Sequence, residues 1–219
     1  MASPDWVTIS SLATAGGTLV LAVATFASVR SANRAARTAE HAFEVGQRPL
    51  IFPSRLEDGT QKIRWGDDHW AALQGGRATF EEVDGSIYMA MSVRNVGGGI
   101  AVLHAWHILE AGTAGASAMT QPSLDQFRPQ MRDLYVPQGD VAFWQAAVRD
   151  PADPDRAELE RALGSGAGLM VDVLYSDHEG EQRTISRFTV VRRTEDESGS
   201  WICSVVRHWN LDRPDPRDH

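Results

Sequence analysis

The stretch Ser86-Ile-Tyr-Met-Ala-Met-Ser-Val-Arg-Asn-Val-Gly-Gly-Gly-Ile-Ala101 decides the fold class. Ile87, Met89, Met91 and Val93 alternate with Ser86, Tyr88, Ala90, Ser92 and Arg94. A period of two places one set on the buried face of a strand. Asn95 to Gly99 interrupts the pattern, and Ile100 to Leu109 resumes extended character. The link is only about five residues long, so it must reverse the chain or cross it between sheets. Glycine suits either task, through positive φ or through close approach of another backbone.

The same period extends outward in both directions. Further strands are expected at Leu50–Pro53, Ile63–Trp65, Ala78–Val83, Leu134–Val136, Val141–Ala147, Leu169–Tyr175, Arg183–Val191 and Trp201–Trp209. Turn chemistry separates them at Asp58-Gly59, Asp84-Gly85, Pro137 to Asp140, Glu179-Gly180 and Ser198-Gly199. One helix interrupts, with Asp153 as N-cap, Pro154 at its first position, Arg156–Leu163 as its body and Gly164 as its end. Residues 111–131 read as a long loop with a short helical turn at Ser123–Gln126. Closely spaced strands without βαβ alternation predict a mainly β domain. The expected form is an antiparallel immunoglobulin-like β-sandwich over residues 48–210 with one short inserted helix, followed by a disordered tail at 211–219.

The N-terminal region has a different grammar. Trp6 to Val29 runs 24 residues without a charge, and 14 of them are Gly, Ala, Ser or Thr. As a helix it would be about 36 Å long, enough to cross a bilayer core. Residues 1–5 form a short tail carrying only Asp5, so the basic n-region of a signal peptide is missing. Residues 6–29 are therefore expected to be a transmembrane helix, continuing into a basic juxtamembrane helix at 30–47. Arg30, Arg34 and Arg37 share one face there, where they can meet anionic headgroups. By the positive-inside rule the C-terminal domain is cytosolic. Ser10, Ala13, Gly17, Val20, Ala24, Ala27 and Ser31 form a seam suited to close helix pairing. A segment more than half small residues produces such a seam by chance, so a homo-oligomer through this helix stays open.

Charge narrows the partners. The chain carries a net charge of -8. Residues 1–50 hold four Arg and three acids, leaving 17 bases against 26 acids in the rest. Such a body is a poor nucleic-acid binder, because phosphate contacts need a basic surface. A single cysteine, Cys203, excludes an intrachain disulfide and any multi-cysteine zinc site; in an apolar strand it reads as a small buried hydrophobe.

Four motifs carry a resemblance. They are Arg48-Pro-Leu-Ile51 after the basic helix, Asn95-Val-Gly-Gly-Gly-Ile-Ala101, Pro137-Gln-Gly-Asp140, and Tyr175-Ser-Asp-His-Glu-Gly180. In these the chain resembles functionally uncharacterised bacterial single-pass membrane proteins with a juxtamembrane helix and a β-sandwich. The resemblance implies a fold and a cell-membrane location, and no reaction.

Catalytic patterns are thin. His104 and His107 have metal-ligand spacing, but positions three apart on a strand face opposite sides unless the strand bulges. Asp177, His178 and Glu179 lie in an expected turn, and His208 has no evident partner. The glycine-rich Gly164–Gly168 lacks the Lys-Ser/Thr of a P-loop, and Ser165 lacks the flanking glycines of a nucleophile elbow. Glu81-Glu82, Asp67-Asp68 and Glu195-Asp-Glu197 read as solvated faces. No catalytic, cofactor-binding or metal residue is therefore assigned, and no cofactor is expected.

Of the body tryptophans, Trp65, Trp106, Trp144 and Trp201 read as core, while Trp70 and Trp209 have polar neighbours and are expected to be exposed. The expected function is a membrane-tethered, non-enzymatic interaction or sensory module that presents its sandwich to an unidentified protein partner. The alternative is an envelope-facing domain that binds a glycan or lipid through exposed Trp.

Overall fold

A computed structural model describes residues 5–110, 119–193 and 200–214. The chain divides into two compact units, a helical one ending at Gly46 and a β unit beginning at Gln47.

Helix α1 runs unbroken from Trp6 to Gly46, 41 residues. It is long and apolar enough to cross a membrane. Its threonines are suited to lipid. Thr14, Thr18 and Thr25 each donate their hydroxyl to the carbonyl four residues earlier, at 2.8–2.9 Å. A hydroxyl satisfied within its own helix needs no water.

The β unit is mainly antiparallel sheet. Its strands are β1 (Ile51–Pro53), β2 (Gln61–Arg64), β3 (Trp70–Leu73), β4 (Arg77–Val83), β5 (Ser86–Asn95), β6 (Ala101–Glu110), β7 (Arg128–Val136), β8 (Val141–Val148), β9 (Leu169–Ser176), β10 (Thr184–Arg192) and β11 (Trp201–Asn210). Nine of them form one hydrogen-bonded sheet in the order β1-β5-β4-β11-β10-β9-β6-β7, with β8 on the other edge of β5. The remaining two, β2 and β3, make a separate hairpin that packs Ile63, Trp65 and Leu73 against Tyr88 and Ala90 of β5.

The sheet curls on itself. Trp106 of β6 and Trp144 of β8 lie toward opposite ends of the strand order, yet their rings meet edge to face at 5.9 Å. One core gathers Met91, Leu103, Trp144, Val171, Phe188 and Leu159 from strands across the sheet and from the inserted helix. The expected period-two reading of β5 is visible in Ile87, Met89, Met91 and Val93, which all join this core.

Several elements differ locally from expectation. β3 and the first half of β7 carry little strand signal: Ala71-Ala72 has low β propensity, and Arg128 to Asp133 is mostly polar. Helix α2 spans Arg156–Ser165, two residues later than its composition suggests. Asp153 accepts from the Asp155 N–H and ion-pairs with Arg128 instead of capping, and Gly166, in the left-handed region, ends the helix. Leu211 and Asp212, expected in a frayed tail, are tied down. The Leu211 N–H donates to the Arg183 carbonyl at 2.9 Å, and Asp212 pairs with Arg48. The Glu195–Glu197 run, the Ser198-Gly199 turn and residues 1–4 and 215–219 lie outside the described residues.

Asn95 closes one seam of the curl. β5 and β6 do not pair with each other, so Asn95 to Ile100 is a crossover between strand neighbourhoods. Buried Asn95 accepts from the N–H groups of Leu50 (3.1 Å) and Gly97 (3.0 Å). Its amide donates to the carbonyls of Gly99 (2.6 Å) and Val136 (3.0 Å). The glycines permit close approach rather than unusual φ: a Cβ on Gly97 would sit 2.2 Å from the Arg48 carbonyl oxygen, and one on Gly99 2.1 Å from that of Gln47. Gly139 donates to the Asn95 carbonyl at 2.8 Å, which brings the Pro137–Asp140 turn to the same place. Tyr175 completes the seam, its hydroxyl accepting from the Ile51 N–H at 3.2 Å and bonding Ser186 Oγ at 2.8 Å. The four motifs quoted above thus meet around residues 48–51.

Candidate functional site

A concave feature of the β unit lies where the curl stays open, between β7 on one side and β8 with the end of β2 on the other. It is a cleft of about 520 Å³. Four arginines line it: Arg128 and Arg132 from β7, Arg64 from β2, and Arg149 just beyond β8. No Asp or Glu is among its described lining residues. Gln130 also lines it; with its amide oriented to satisfy both atoms, it donates to the Gln145 carbonyl (3.3 Å) and accepts from Trp144 Nε1 (3.2 Å).

Three of these arginines are held between an aromatic ring and a carboxylate. Arg128 lies 5.0 Å over the Trp106 ring and donates to Asp153 (2.5 and 2.9 Å) and Asp155 (2.7 Å). Arg149 lies 5.7 Å over Tyr88 and donates to Asp67 at 2.7 Å. Arg64 lies 5.5 Å over Trp70 and donates through Nε to Asp68 at 2.7 Å. Arg132, exposed on β7, makes no ion pair among the described residues.

The charges respond to this pairing. Hydrogen bonds from Arg149, and then from the Tyr88 hydroxyl, hold the Asp67 carboxyl well below the usual carboxylate range despite some desolvation. Arg128 does the same to Asp153. In return the Asp153 carboxylate raises Arg128, and the Asp67 carboxylate raises Arg149. A guanidinium carries five donors, so each paired arginine keeps donors for another acceptor.

The residues singled out in the sequence fall elsewhere. β6 bulges at His104, between Leu103 and Ala105, yet the two histidines find different partners. His104 meets Ser176 Oγ at 2.6 Å, and His107 meets Asp172 at 3.2 Å. Among the described residues no three His, Cys, Asp or Glu side chains gather as a metal site. Asp177 accepts from the N–H groups of Glu181 and Gln182 and closes its own turn, while His178 and Glu179 are exposed. Ser165 ends α2, its hydroxyl 3.5 Å from the Ala162 carbonyl. Glu81 pairs with His69 at 3.1 Å, and Glu82 with Arg156 at 2.9 Å. Cys203 is buried with Met91 Sδ at 3.5 Å, and burial pushes its thiol up.

His208 does have a partner. Its Nδ1 lies 2.6 Å from Ser186 Oγ, which also bonds the Tyr175 hydroxyl. The contact has the form of a serine–base pair, but Ser186 and Tyr175 are fully buried, and burial raises the Tyr175 hydroxyl to about 12. Trp209, expected to be exposed, is buried at 3% between Arg187 and Arg207, whose guanidiniums lie 5.0 and 5.4 Å from its ring. Trp70 is exposed at 56%.

Sequence reasoning missed a buried ion pair. Asp172 and Arg187 face each other in the β9–β10 register and bond twice, at 2.6 and 2.7 Å. Arg187 also donates to the Thr120 carbonyl at 3.3 Å. A lone charge in each of two apolar strands, Leu169–Tyr175 and Thr184–Val191, is the signal that marks them. Desolvation of two buried charges offsets much of their attraction, so such a pair adds little net stability.

No model of a known protein family matches the chain, and no curated protein does.

Proposed function

We propose that the protein is a membrane-tethered, non-enzymatic interaction or sensory module of a bacterial cell membrane, crossing once through α1 and holding its β unit in the cytosol. One observation carries the reading: an uninterrupted helix, apolar first and then basic at Arg30, Arg34 and Arg37, leads into a separate compact β unit. The titratable groups described above serve turns, strand clamps and ion pairs, and the cleft arginines alone gather around an open space. On this reading the curled sheet works as an immunoglobulin-like sandwich, with β8-β5-β4 facing β10-β9-β6 across the shared core, and the resemblance to single-pass β-sandwich proteins supports it. The helix seam offers a route to a homo-oligomer.

A second reading, an envelope-facing glycan or lipid binder, rests on exposed Trp70. It is the weaker one, since a sugar platform uses several aromatics and Trp209 is covered. Topology separates the two. A reporter active only outside the cytoplasm, fused after His219, is expected to be silent. Activity there overturns the cytosolic assignment and favours the second reading. Replacing Arg30, Arg34 and Arg37 by Gln should loosen the orientation.

A further inference from the structure

We propose that α1 pairs in parallel with the α1 of a second copy of this chain, along one uncharged face that runs from within the apolar span to the end of the helix. This pairing rests on the reading of α1 as a membrane-crossing helix and names what that helix meets.

Helix α1 is unbroken from Trp6 to Gly46, so its apolar half and its basic half share one helical phase. Steps of four and three from Ser11 pass through Ala15, Thr18, Ala22 and Thr25, and residues at such steps share one side of a helix. The same steps continue through Val29, Ala32, Ala36, Ala39 and Phe43 to Gly46. Many faces of a span rich in small residues look like this. The half beyond Val29 is selective. It carries Arg30, Arg34, Arg37, Glu40, His41 and Glu44, and every one of them misses this face. The helix is therefore amphipathic where water is its solvent, and its uncharged side lies open there, with Phe43 68% exposed. An apolar stripe left uncovered on a lone helix is a surface for packing.

Length identifies the occupant. Ser11 to Gly46 is 36 residues, about 54 Å of helix. The face begins inside the uncharged run and ends well beyond it. Whatever covers all of it is itself a helix that crosses the bilayer and continues into water, and a second α1 has that form by construction. A strip about 54 Å long and ~10 Å wide on each helix buries on the order of 1,000 Å² in total, about what a specific interface requires.

Charge selects this face over its neighbours. Copies inserted by the same flanks cross in the same direction, so the pair is parallel, and a two-fold axis sets each residue near its own copy. Along this face no charge meets its like, and the arginines of both copies point away from the contact. The Ser10–Ser31 seam fails on this count: continued by three and four, it reaches Arg34 and His41, which would oppose themselves. Polar groups within the span add no cost. Thr18 and Thr25 donate their hydroxyls to carbonyls of their own helix, at 2.9 and 2.8 Å. Ser11, Thr14, Ala15, Thr18 and Ala22 line a shallow groove that lets a second backbone come close. A seven-residue period sustained over this length gives a left-handed crossing.

The test is disulfide crosslinking of the full chain in isolated membranes under a mild oxidant, with single cysteines placed along α1. Native Cys203 is buried, and the wild type gives the background. Ala32→Cys and Ala36→Cys are expected to form covalent dimer at least about fivefold more than Arg34→Cys or Arg37→Cys, which face away. Adding Ala39→Glu to the Ala36→Cys chain should cut the dimer about fivefold or more, because two carboxylates would meet in the contact, whereas adding Ser31→Glu should not. Dimer formed best at Arg34→Cys or Ala27→Cys, or equally at every position, overturns the proposal. Crosslinking no higher than wild type at every position overturns it too. Alkaline carbonate extraction of the same membranes separates the two levels. Chain retained in the membrane without face-specific dimer leaves the tether standing and removes the pairing. Chain released by carbonate removes the tether, and the pairing with it.

Discussion

The two seams of the curled sheet use similar residues to opposite ends. At the closed seam, Arg48, Asn95 and Tyr175 turn their polar groups onto the backbone and side chains of β1, β10 and the crossover. At the open seam, Arg64, Arg128, Arg132 and Arg149 stand around a space large enough for a ligand. The difference lies in how the donors are used. Asn95 has both amide atoms engaged twice and no exposed surface, so it has nothing left to offer. The arginines are about one-third exposed or more and keep free donors. Residue type alone does not separate a saturated polar site from one with donors to spare; burial and donor use do.

Perturbing each seam should give contrasting results. The largest effect is expected from Gly97→Val. Its Cβ would stand 2.2 Å from the Arg48 carbonyl oxygen and 2.5 Å from the Leu50 nitrogen, so backbone must move. A loss of roughly 3–5 kcal/mol is expected by chemical denaturation. Stability within 1 kcal/mol of wild type would show that the β1 lead-in is not held tightly there.

Asn95→Ala should come next. It strips partners from the Leu50 and Gly97 N–H groups and the Gly99 and Val136 carbonyls. A loss of about 2–4 kcal/mol is expected, because orphaned buried polar groups cost more than a net hydrogen bond contributes. Asn95→Asp keeps the two acceptor contacts and should recover only part of it.

The smallest effect belongs to the open seam. Arg149→Ala should change stability by at most about 1 kcal/mol, since both partners of the Arg149–Asp67 pair are about one-third exposed. Its pH signature is distinctive. The Asp67 carboxyl is depressed below its ordinary value of 3.8, so the pair's stabilisation is complete above that value. It fades as pH falls from there through the lower folded-state value. The melting-temperature difference between wild type and variant should therefore be constant from pH 7 to about pH 5 and shrink below pH 4. A difference that grows on acidification would contradict the pairing.

Much of the architecture is legible in the chain because local rules act within a few residues. Period-two alternation marks β5, apolar runs mark β9 and β10, and Asp84-Gly85 marks the β4–β5 hairpin, where both residues adopt positive φ. The uncharged Trp6–Val29 run marks a helix long and apolar enough to cross a membrane. Asn95 with its glycines is recognisable as a special turn. Whether those glycines served φ or proximity was not, because the answer depends on Gln47 and Arg48, about 50 residues earlier in the chain.

Only the tertiary structure decided the rest. The curl of the sheet brings Trp106 of β6 against Trp144 of β8, while β10–β11 pairing buries Trp209 under Arg187 and Arg207 and sets His208 opposite Ser186. The cleft is the clearest case. Arg64, Arg128, Arg132 and Arg149 belong to three segments spread over more than 80 positions. Each alone reads as an ordinary surface charge. Sequence determines a residue's chemistry and its face on the nearest element, since both follow from local backbone geometry. What that face meets depends on long-range strand pairing, and here the pairing set four arginines around one space.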